Sequence, residues 1–164
     1  MSVKQCKRVS DMSTIKLTLM IILTLAIIQT VSAQDAMRTA AIARIVGTVA
    51  VMPSQGSWTE ARRGMSLSEG CAIRTKEGSK VILSLDGKEQ SALIEIRGDS
   101  YLTLTEMPPV ENETRNTLLD LAIGDVLIKV KKLPSDKSKF EVRTPISYVG
   151  VRGTIFSISL RRVE

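Results

Sequence analysis

The side chains with the most capacity for chemistry gather in the last third of the chain. Residues 129–139 read KVKKLPSDKSK, five lysines in eleven positions. Lys129 and Lys131 are two apart and so share one face of a strand, and Lys137 follows a Pro134-Ser135-Asp136 turn signal. Such a cluster suits an anionic surface: lipopolysaccharide, another acidic polymer of the cell wall, or an acidic patch on a protein. The plainer reading is a solvated hairpin whose lysines discourage edge-to-edge pairing. Arg74, Arg143 and Arg152 form a second set. With strands stacked in register they line one edge and take carboxylates bidentately; otherwise they bond turn carbonyls or pair with Asp99 or Asp125. The candidate partner-binding residues are therefore Lys129, Lys131, Lys137, Arg143 and Arg152. Trp58, Tyr101 and Tyr148 are a third set, offering planes to a sugar or, more plainly, core or half-core anchors.

Catalytic chemistry finds little support. The chain has no histidine, which removes the usual general base and the commonest metal ligand. Asp86, Glu95, Asp99, Asp120 and Asp125 supply carboxylates of the kind a glycosidase pairs about 5–10 Å apart. Most stand in turns or on exposed strand faces, where turn chemistry accounts for them. A non-enzyme without cofactor or metal is the expectation. Cys71 reads as a small buried apolar residue rather than a reactive thiol.

These residues must be positioned by strands. Val81-Leu83-Leu85, Ile94-Ile96, Leu102-Leu104, Leu119-Leu121-Ile123, Val126-Ile128-Val130 and Phe156-Ile158-Leu160 each alternate with a second set, the period of a strand with two unlike faces. Turn signals recur at Arg63-Gly64, Glu69-Gly70, Glu77-Gly78, Asp86-Gly87, Gly98-Asp99 and Gly124-Asp125. The loop MPPVENETRN, residues 107–116, divides the pattern into two halves. Ala72-Ile73-Arg74-Thr75 and Glu141-Val142-Arg143-Thr144 repeat a strand–Arg–Thr–turn unit. The fold predicted is all-β: a single domain of short, glycine-punctuated strands in a twisted β-solenoid-like stack, with a β-sandwich as the alternative.

The first 33 residues give an address. Lys4, Lys7, Arg8 and Lys16 precede the uncharged run LTLMIILTLAII, and Val31-Ser32-Ala33 ends it, which is the pattern of a signal peptide. The alternative is an inner-membrane anchor through residues 17–33, but a spanning helix needs about 20 mostly apolar residues. Met12 offers a second possible start. Removing the leader takes four of the 23 basic residues and one of the 17 acidic ones, leaving a net charge of +3 rather than +6. That excess is too small to argue for nucleic acid. No cysteine follows the apolar run at a lipid-attachment position, so a mature protein free of the membrane, periplasmic or secreted, is expected. The organisation predicted is a signal peptide at 1–33, a short segment at 34–43 and a β domain at 44–162.

The most specific stretch runs FEVRTP at 140–145, YVGVRGT at 148–154 and FSI at 156–158. It resembles the FecR-like domain family of exported bacterial proteins, which has a strand ending in V-x-T-P and then V-R-G-T before an aromatic. Val46-Gly47-Thr48-Val49, Ile73-Arg74-Thr75, the strand before Asp86-Gly87 and Leu121-Ala122-Ile123-Gly124 follow the family's order, so the resemblance spans about residues 44–160. It implies an exported β module. The family's regulators also carry a cytoplasmic anti-sigma region and a C-terminal signalling part, and neither is expected in this sequence. The function expected is non-catalytic binding in the bacterial cell envelope, to a protein by preference. The alternatives are an anionic cell-wall polymer or polysaccharide, and an accessory role in cell-surface signalling without the anti-sigma domain.

Overall fold

A computed structural model describes residues 37–87 and 89–161. The expected signal peptide and the alternative of a membrane anchor through residues 17–33 lie outside the described residues. The chain divides into units Met1–Gln34 and Asp35–Glu164, and the second carries everything that follows.

The all-β expectation is borne out. The described residues form twelve strands: β1 Ala40–Val46, β2 Val49–Met52, β3 Thr59–Glu60, β4 Ser66–Leu67, β5 Ala72–Thr75, β6 Lys80–Leu85, β7 Ala92–Ile96, β8 Tyr101–Glu106, β9 Asn116–Val130, β10 Lys139–Arg143, β11 Tyr148–Val151 and β12 Ile155–Leu160. β1 begins at Ala40, so the short segment expected before the domain supplies part of its first strand. Together the strands make one curled, open sheet. Half A runs β4-β1-β6-β7-β9-β12 and half B runs β3-β2-β5-β8-β9-β10-β11, with β9 common to both. The chain winds back and forth between the halves, which is the coil-like feature of the predicted stack. Within each half neighbouring strands run antiparallel, apart from the parallel pair β9–β10.

The alternation seen in the sequence is the reason for the core. Leu83, Leu85, Ile94, Ile96 and Ile128 from half A meet Ile73, Leu102, Leu104, Leu119, Leu121 and Val142 from half B in a single cluster, all fully buried. Their alternate neighbours face outward because successive side chains of a strand point to opposite faces. Two expectations are corrected here. Gly124-Asp125 is not a turn between two strands but a bend within the 15-residue β9. Gly124 has φ +109°, and a Cβ there would lie 2.4 Å from the Ser100 Cα. Only glycine lets β9 pass so close to β8 and fold from half B into half A. The loop at 107–116 likewise does not separate two half-domains, because β8 and β9 on either side of it pair directly.

The bend returns the end of β9 to the level of its start. The segment 131–138 is therefore a crossover from half A to the parallel strand β10, not the hairpin that the lysine spacing predicted. This crossover, the β6–β7 turn and the loop before β9 come together at one end of the molecule: the Lys131 amide donates to the Ser91 carbonyl, and the Arg115 amide to Ser138 Oγ.

Candidate functional site

The two ends of the sheet are unlike. One is closed by β3 and β4, each of two residues. The other is formed by β11 in half B and β12 in half A, of four and six residues. β12 pairs with β9 from Ile155↔Lys129 to Leu160↔Gly124, and among the described residues it has no neighbour on its other side. The Val130 amide donates to the Thr154 carbonyl at 2.9 Å, which sets the phase of the ladder. Residues 154, 156, 158 and 160 thus turn their backbone groups to β9, while Ile155, Ser157 and Ser159 present theirs to the free edge.

The side chains of this edge are incompletely covered. Phe156, Ile158 and Leu160 pack on the core yet remain half-buried, and Val149 on β11 does the same. Ile155 is 60% exposed, Tyr148 65% and Ile146 83%. Half-covered inward-facing residues beside unused backbone groups are what an added strand would satisfy.

The five candidate residues do not converge. Lys129 faces outward on half A between Leu93 and Ile155. Lys131 lies at the loop end, where its Nζ donates to the Glu89 carbonyl at 2.6 Å. Lys137 sits in the crossover beside Pro108, Pro109 and Glu111. Arg143 is on the outer face of half B, its Nε donating to Asp120 Oδ2 at 3.0 Å. The hydrogen bond to Asp120 is the largest of the influences that raise the Arg143 pKa further, and Tyr148 acts in the same direction. Arg152 pairs with Asp136 in the exposed crossover at 3.2 Å. The arginine partners are thus Asp120 and Asp136 rather than Asp99 or Asp125, because register and not sequence proximity chooses them. Arg74 lies over the Trp58 ring, 4.7 Å from its centroid, and Trp58 meets Tyr101 edge-on at 5.9 Å. Trp58 and Tyr101 are half-buried against half B, the half-core form of that expectation, whereas Tyr148 is exposed. Cys71 is buried with a free thiol, as expected.

A cluster that spacing did not reveal stands at the loop end. Arg38, just before β1, is 6% exposed. Its Nε and one terminal nitrogen donate to the two carboxylate oxygens of Asp86 at 2.8 and 2.9 Å, and it also bonds Thr117 Oγ1 and the Asn116 carbonyl. Burial is the largest single influence on Asp86 and opposes its ionisation. The hydrogen bonds from Arg38 and Ser91 and the charges of Arg38 and Arg115 together outweigh it, and the carboxyl is held below its usual 3.8. Arg115 pairs with Glu89 and stands 4.0 Å from Asp86. The only sequence signal for this network is a lone arginine ahead of an apolar strand and an aspartate in a turn, 48 residues apart.

Among the described residues no group of His, Cys, Asp or Glu is arranged to hold a metal, and no helix is long and apolar enough to cross a membrane. No curated protein and no solved structure matches the chain. The family described as FecR protein matches residues 71–163, from the buried Cys71 through β12, and this is a family of the cell envelope and its signalling. With more than half of its length matched, including β11 and β12, the chain belongs to the FecR family.

Proposed function

We propose that this chain is an exported, non-catalytic interaction module of the cell envelope that recruits a protein partner at its open edge. The observation that carries the reading is β12: a six-residue strand paired on one side, with Phe156, Ile158 and Leu160 half-covered and the backbone groups of Ile155, Ser157 and Ser159 turned outward. An extended segment of the partner adds beside β12, its alternate apolar residues extending the core and its backbone completing the ladder. The short β3 and β4 leave little ladder to extend at the opposite end. The polymer reading has less support, because Lys129, Lys131 and Lys137 face three different surroundings and Arg143 and Arg152 already hold carboxylates.

The test is envelope cross-linking and pull-down of the full chain against Ser157→Pro. Proline removes an outward amide while leaving the bonds to β9 in place. A stoichiometric protein partner that is captured by the parent chain, survives moderate salt and disappears with Ser157→Pro is the expected result. Capture that collapses with salt, ignores Ser157→Pro and is lost on charge reversal at Lys129, Lys131 and Lys137 would replace this reading with the polymer one.

A further inference from the structure

The loop end holds a cavity of about 180 Å³ between the β6–β7 turn, the start of β9 and the crossover. Its walls are of two kinds. Val130 and Phe140, both buried, with Leu133 and Pro134, form an apolar side. Arg38, Arg115, Lys131 and Lys132 form a cationic side. Against these four cations stand two carboxylates, Asp86 and Glu89, so the described residues of the surroundings keep a net charge of +2. Both carboxylates are already engaged, Asp86 by Arg38 and Ser91, Glu89 by Arg115. Among the described residues Lys132 pairs with no carboxylate, and the buried Nε of Arg115 has no acceptor. Lys132 is therefore a lining cation without a counter-charge, and a carboxylate is its natural complement.

The geometry points to this cavity as a binding site for a monocarboxylate carried on a compact apolar body, its carboxylate held by Arg115 and Lys132 and its apolar part set against Val130, Leu133 and Phe140. The size agrees, since a dry cavity of about 150 Å³ accepts one benzene ring. A neutral hydrocarbon would leave Lys132 without a counter-charge. A phosphate would bring more charge than the apolar wall can solvate. Two sources share the required chemistry: the C-terminal residue of a protein chain with a large apolar side chain, and a free aryl or branched-alkyl acid. The site is separate from the β12 edge, so either idea stands or falls without the other.

Calorimetric titration of the full chain with 3-phenylpropionate, and with a short peptide ending in phenylalanine as free acid and as amide, tests the site. Saturable binding of the acids is expected, with the amide at least about tenfold weaker. Lys132→Glu, a change at an exposed side chain, should weaken the acids about tenfold or more, and Leu133→Trp should block them by filling the space. A peptide acid much tighter than 3-phenylpropionate assigns the site to a chain terminus, and equal affinities assign it to a free small acid. Ser157→Pro should leave every affinity unchanged. No saturable binding by any probe, equal binding of acid and amide, or indifference to Lys132→Glu would overturn the assignment.

Discussion

At the scale of single residues, the chain separates its charges by burial. Arg143 and Asp120, or Arg152 and Asp136, face water, where solvent screening leaves such a pair little to contribute. Arg38 and Asp86 are different, with side chains 4% and 9% exposed. Removing one partner of such a pair leaves the other buried and uncompensated, so Asp86→Asn should cost roughly 3 kcal/mol in urea unfolding at neutral pH. The depressed Asp86 pKa fixes the sign of a pH effect. The carboxylate contributes stability above the unfolded-state value of 3.8, and that contribution is lost as pH falls through the lower folded value. Acid titration of stability should therefore show a steeper fall for the parent chain than for Asp86→Asn. Parallel curves would show that Asp86 is not the group responsible.

At the scale of elements, β9 decides the architecture. It pairs with β8 and β10 before the bend and with β7 and β12 after it. Gly124→Ala places a methyl group against the Ser100 backbone in a conformation that disfavours a Cβ, and should destabilise by more than about 2 kcal/mol. Alanine at Gly64, where a Cβ would meet nothing within 4 Å, meets only the backbone cost, about 1 kcal/mol. Equal losses in thermal unfolding of the two variants would remove the close approach as the cause. The alternating runs made the strands themselves legible, Leu119 to Ile123 and Val126 to Val130 among them. That the two are one strand was not legible, because a glycine followed by an aspartate signals a turn as readily as a bend. The lysine run at 129–139 misled for the same reason: local residue types describe a loop well and say nothing of whether the next strand returns parallel or antiparallel.

At the scale of the whole molecule, both halves share β9 and one core, so neither buries its inner face without the other. Unfolding should be a single cooperative transition. Trp58, the only tryptophan, lies beside Arg74 and Tyr101 in half B, so its fluorescence reports on that half while far-UV circular dichroism follows all strands. Coincident curves are expected, and an earlier fluorescence transition would show half B melting on its own. The open edge belongs to this scale too. Phe156, Ile158 and Leu160 read as core in the sequence and are core in direction, yet the sheet ends beside them among the described residues.

By itself the sequence determined the strand content, the identity of the buried apolar set, the burial of Cys71 and the FecR resemblance. Each of these is written in neighbouring residues, through period-two alternation or an ordered motif. Tertiary structure alone decided which basic residues stand together. Arg38 reaches Asp86 across 48 positions, and Arg115, Lys131 and Lys132 join them at one cavity, while Lys129, Lys137, Arg143 and Arg152 disperse. The physical reason is that charge and hydrogen bonding act through space. Spacing along a strand says which face a lysine occupies, but the bend at Gly124 and the register of β9 against four neighbours say what that face meets.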